Sequence, residues 1–135
     1  MKISFNPTAV KTTFEHRRSE TEITVERINN GALVTLNGSD SGAASFEINT
    51  LEELDQLKAM LPTLKNYREK LNRGFCYEYS VLSIDRDTYG DPFEECIQFT
   101  ISAANPDTPW SECSLSACLS FDDRQRFLDT IELSL

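Results

Sequence analysis

Ile23-Thr24-Val25-Glu26-Arg27-Ile28-Asn29-Asn30-Gly31-Ala32-Leu33-Val34-Thr35-Leu36 decides the fold class. Two runs rich in β-branched and apolar residues flank an Asn-Gly dipeptide. That pairing signals a β-hairpin, because a type I′ turn needs positive φ at both central residues. A Gly/Ser-rich turn from Asn37 to Gly42 leads to a third strand near Ala44–Ile48. Thr50-Leu51-Glu52-Glu53 then reads as a capping box, with Leu51, Leu54, Leu57 and Leu61 on one helical face. Pro62 ends or kinks that helix, and Leu64, Tyr67 and Leu71 continue a helical face to about Arg73.

The second half repeats this order. Strand signals cover Phe75–Ile84, Cys96–Ala103 and Cys113–Leu119, and Ser120-Phe121-Asp122-Asp123 opens a second helix carrying Phe127, Leu128 and Ile131. The two helix starts, at 50 and 120, lie seventy residues apart, and at that offset Leu51, Leu57 and Leu61 fall on Phe121, Phe127 and Ile131. The expectation is one α+β domain over 1–135. It has a mainly antiparallel sheet of about six strands, two principal helices and a βββα pseudo-repeat with halves at about 21–73 and 75–135. Residues 1–20 read as an edge strand through Ile3 and Phe5, or as an arm.

A chain of 135 residues, 39% hydrophobic and 26% charged, is large enough to bury a core without staples. No apolar run approaches a membrane span, and the first residues have no apolar signal core, so a cytoplasmic protein without membrane contact is expected. Cys76, Cys96, Cys113 and Cys118 stand in apolar stretches and read as reduced core thiols. Their spacings of 20, 17 and 5 lack the close pairs that zinc requires.

Charge is distributed unevenly. Residues 1–74 carry ten acids and ten Lys/Arg, whereas residues 75–135 carry twelve acids against Arg86, Arg124 and Arg126. The whole net charge of −9 therefore comes from the second half. If the strands of the two halves stay apart, sequence polarity becomes spatial polarity. If they interleave, it is spread over the surface.

Few reaction classes survive. Asp85-Arg86-Asp87-Thr88-Tyr89-Gly90-Asp91 partly matches a calcium loop, but Tyr89 and Cys96 occupy ligand positions and the flanks read as strands, leaving a hairpin connection. Phosphate-binding glycine motifs are absent, and His16 is the only histidine available as a base, so no enzyme, metal or cofactor is expected. The cations near His16-Arg17-Arg18 and from Lys58 to Arg73 mix with acids. With a pI near 4.5, this argues against direct nucleic-acid binding.

Protein binding fits best. Asp85, Asp87, Asp91, Glu94 and Glu95 would supply a negative field, and Tyr89, Phe93 and Trp110 the desolvated contact area. The expected function is a non-catalytic inhibitor of the toxin-immunity or phage anti-defence kind. Its carboxylates would stand in for phosphates and block a basic surface of a protein partner, such as a nucleic-acid-binding protein. The alternative is a structural or chaperone-like interaction module, including a homodimeric one.

Overall fold

The structure, a computed structural model, describes residues 11–38, 42–61, 76–77, 80–89, 94–105 and 108–135. The hairpin forms from β2 (Thr21–Ile28) and β3 (Gly31–Asn37), with Val25 opposite Val34 and Ile28 opposite Gly31. Its two-residue connection is Asn29-Asn30, one residue earlier than the Asn-Gly signal implies. Among the described residues Glu20 is the only non-glycine at positive φ, so the turn is not type I′. Gly31 follows the turn with φ 145 and re-enters the ladder. A Cβ there would lie 2.2 Å from the Ile48 carbonyl oxygen, so glycine is required by close backbone approach as well as by φ.

Around this hairpin, β1 (Thr12–His16) pairs with β2 and β4 (Ala43–Ile48) pairs with β3, giving the antiparallel order β1-β2-β3-β4. Residues 12–16 are thus a strand and not an arm, because Phe14 and His16 are buried on its inner side. The expected strand through Ile3 and Phe5 lies outside the described residues. Alternation places Phe14, Ile23 and Leu36 in one inward row and Val25, Val34 and Phe46 in the next, with Ala32 opposite Ile48 beyond them.

Helix α1 (Leu51–Met60) starts as expected. Thr50 is the N-cap and accepts from the Glu53 N–H at 3.1 Å, while the Glu53 carboxylate reaches the Asn49 N–H at 3.4 Å. Leu54, Leu57, Met60 and Leu61 are buried, but Leu51 is 61% exposed. Leu61, the residue before Pro62, is extended at φ −72 and ψ 122, as a pre-proline position favours. The expected continuation to Arg73 lies outside the described residues.

The second sheet has the order β5-β6-β7-β8, from β5 (Cys76–Tyr77), β6 (Ser80–Tyr89), β7 (Glu94–Asn105) and β8 (Thr108–Ser120). The stretch expected as one strand, Phe75–Ile84, instead folds back on itself, with Tyr77 opposite Ser80. The six expected strands become eight among the described residues, one of them only two residues long. The element order is four strands then a helix, twice over; this repetition is one of order. A 3-10 turn (Phe121–Asp123) replaces the expected cap at Ser120, whose side chain makes no capping bond, and leads into α2 (Arg124–Glu132).

The two sheets meet at β8. The Cys118 N–H donates to Thr21 Oγ1 at 2.9 Å, and Leu115 packs against Gly38 and Gly42 at the end of the first sheet. Both sheets and both helices feed one hydrophobic cluster. Four rings run through it. Phe14 of β1 meets Phe127 of α2 edge-on at 5.6 Å, Phe127 meets Phe99 of β7 at 5.5 Å, and Phe99 stacks on Phe46 of β4 at 6.4 Å. Cys96 and Cys118 are buried. No described helix is long and apolar enough to cross a membrane.

Gly31→Ala is expected to cost about 3 kcal/mol, from the backbone clash and the unfavourable φ together. Urea unfolding at neutral pH measures this, and a midpoint equal to that of the unmodified chain would contradict the geometry described for Gly31.

Candidate functional site

Strand β6 passes through most of the acidic segment. Its register sets Asp85 opposite Gln98, Asp87 opposite Cys96, Thr88 opposite Glu95 and Tyr89 opposite Glu94. Asp85, Asp87, Tyr89, Glu94 and Glu95 therefore gather at one end of the β6–β7 hairpin. Asp91 and Phe93 fall in the connection between these strands and lie outside the described residues. Residues 85–89 form a strand, not the turn-built connection read from the sequence, and this rules out a calcium loop starting at Asp85.

Trp110 does not join this group. It stands near the start of β8, where the register brings Asn105 opposite Thr108 and Ala104 opposite Glu112. From Glu95 to Ala104 the strand runs nine residues, roughly 30 Å at the usual rise. Trp110 thus marks the opposite end of the sheet.

Glu95 has a partner within the fold. Its carboxylate pairs with Arg86, whose side chain is only 5% exposed and whose guanidinium lies 5.0 Å from the centre of the Phe121 ring. Arg86 follows Leu82 and Ile84 on the core-facing side of β6, so its apolar stem extends the core and its charge needs a counterion there. Asp85 is on the other side, half-buried, with Oδ1 buried and making no hydrogen bond among the described residues.

His16 is buried where β1 turns into β2. Its Nδ1 accepts the Ser19 N–H at 3.2 Å and lies 2.8 Å from Ser19 Oγ. Ser19 Oγ is 2.6 Å from Thr21 Oγ1, the atom that takes the Cys118 N–H. A backbone N–H can only donate, so Nδ1 carries no proton here and its lone pair is engaged. The chain of contacts acts as a joint between the sheets. Among the described residues, no group of three His, Cys, Asp or Glu side chains is placed to hold a metal ion.

A second acidic surface was missed in the sequence. Glu15, Glu22, Glu26 and Glu47 occupy the alternate positions of β1, β2 and β4 that face away from the core. Glu15 and Glu22 stand directly opposite each other. An open groove of about 300 Å³ adjoins them, lined in part by Glu15, Glu20, Glu22, Arg17 and Asn37. The missed signal was period-two parity. All four glutamates alternate with core residues, yet a charge count over the half-chain cancels them against cations elsewhere.

Arg86→Ala is expected to destabilise the fold by about 2–3 kcal/mol, because Glu95 loses its counterion at the margin of the core. The double change Arg86→Met with Glu95→Leu should recover most of that loss in the same denaturation assay. Equal stability of Arg86→Ala and the unmodified chain would contradict a structural role for the pair. The sequence matches no protein-family model and no curated protein to a significant degree.

Proposed function

We propose that this chain is a non-catalytic protein-binding module, an inhibitor of the toxin-immunity or anti-defence kind that blocks a basic surface of a protein partner. The observation that supports it is sheet order. Among the described residues, every strand of the first sheet precedes residue 49 and every strand of the second follows residue 75, so the described strands of the two halves do not interleave. The described acids of the second half are therefore carried by one sheet and the helical segment that follows it.

Two of the second half's three arginines offset this field only locally. Arg86 is enclosed with Glu95, and Arg126 pairs with Asp123 at 3.1 Å while lying 4.5 Å over the Phe14 ring. Acids at the β6–β7 end, Asp87 and Asp91 among them, would steer a basic partner and repel nucleic acid. One observation favours the alternative of a structural or chaperone-like module: Leu51 at the start of α1 and Leu133 just past the end of α2 are 61% and 82% exposed. Contact through those leucines would be insensitive to salt.

The test is capture of partners by the immobilised chain from extracts of its own cells, at about 50 mM and about 500 mM salt. Asp87→Lys/Asp91→Lys serves as the control variant; Glu95 is left intact because a lysine there would face Arg86. Basic proteins should be retained at low salt only, and the double reversal should slow their association about tenfold or more. Salt-insensitive capture, unchanged by the reversal, would contradict the proposal.

A further inference from the structure

The outward face of the first sheet has an ordered chemistry. The register aligns three rows across the strands: Glu15, Glu22, Asn37 and Ala43; then Thr13, Thr24, Thr35 and Ser45; then Glu26, Leu33 and Glu47. A row of hydroxyls is thus flanked on both sides by carboxylates. Glu22 and Glu26 are four residues apart on β2, about 13 Å, and Glu26 and Glu47 are two strands apart, about 10 Å. Lys11, 4.0 Å from Glu26, is the cation paired to this face among the described residues. Thr13, Glu15, Ser45 and Glu47 are exposed, and no described element packs over them.

Two features of this face do nothing for the fold. Directly opposed like charges destabilise an antiparallel pair, and neither Glu15 nor Glu22 has an ion-pair partner among the described residues. The groove beside them adds Glu20, so three carboxylates and one cation, Arg17, border one concavity about large enough for a long side chain, a net negative lining. A cationic group seated there would relieve the repulsion, and the hydroxyl row supplies donors and acceptors for a main chain laid beside it. A second copy of this face would bring carboxylates against carboxylates.

We propose that the outward face of β1–β4 is a docking surface for a lysine- and arginine-rich protein segment. One basic side chain of the partner enters the groove at Glu15, Glu20 and Glu22, and others reach Glu26 and Glu47. This rests on reading the chain as a binder of basic proteins, and places a contact surface on the first sheet in addition to the β6–β7 end.

A synthetic twelve-residue Lys/Arg peptide, titrated at low salt into the full ¹⁵N-labelled chain, tests it. Amide shifts should concentrate on Glu15, Glu22, Thr24, Thr35 and Glu47. Glu22→Gln/Glu26→Gln/Glu47→Gln should weaken binding about tenfold or more, and Asp87→Lys/Asp91→Lys, a larger change in net charge, should weaken it less. Glu22→Gln alone should also raise Tm by about 1–3 °C, since it removes the opposed charges without disturbing the core.

Shifts confined to the β6–β7 end, with the triple variant unaffected, would overturn this surface and leave the inhibitor reading standing. No saturable binding by any form would overturn both. The same shifts produced by calcium chloride alone would replace the peptide site with an ion site. Shifts that grow with protein concentration alone would replace it with self-association.

Discussion

Phe99 joins the two halves of this protein. Its ring meets Phe127 of the last helix and stacks on Phe46 of the first sheet, while Phe127 continues the contact to Phe14. Among the described residues each sheet is built from one contiguous stretch of sequence, and no strand pairing ties the two together. Cohesion rests on the shared apolar cluster, which the four rings cross from edge to edge, and on the Cys118–Thr21 hydrogen bond at the seam. Ring pairs of this geometry each add about 1 kcal/mol beyond their buried area, so the chain of rings also fixes how the sheets are oriented.

That arrangement dictates where charge can go. The inner faces of both sheets are filled by Leu, Ile, Val and Phe, so strand acids are left to outward positions and strand ends. Arg86 is the exception that had to be balanced, and Glu95 balances it. A count over sequence halves is consequently a poor guide to surface potential. The first half is neutral in sum, yet its strands hold Glu15, Glu22, Glu26 and Glu47 against Arg27 alone, and Arg27 sits opposite Ala32 on the other side of the sheet. Within the neutral first half, acids gather on the outward face of the sheet, an arrangement that a count over the half does not register.

Much of the architecture was legible because local signals were strong. The Asn-Gly hairpin, the Thr50 capping box and the apolar spacing of both helices all point to elements that form. What failed depended on context. The turn shifted by one residue because Gly31 has to pass the Ile48 carbonyl. Leu51 read as core from spacing alone, but it is exposed, and Leu54, Leu57 and Met60 form the buried face of the helix. Strand β6 runs on through Asp85–Tyr89 because Arg86 acts there as an inward residue, which a search for turn-forming residues does not see. Trp110 was grouped with the acidic loop by sequence proximity to β7, whereas hairpin geometry sends it to the far end.

The central claim is that a rigid two-sheet body presents negative potential on two surfaces, the β6–β7 end and the outward face of the first sheet. Near-surface potential can be measured residue by residue, without any partner, from amide relaxation caused by a cationic and an anionic nitroxide of equal size. The account predicts that the cationic probe is enriched near Asp85–Glu95 and near Glu22, Glu26 and Glu47, with little bias over Lys58 on α1. Equal relaxation by both probes at those acidic positions would contradict it.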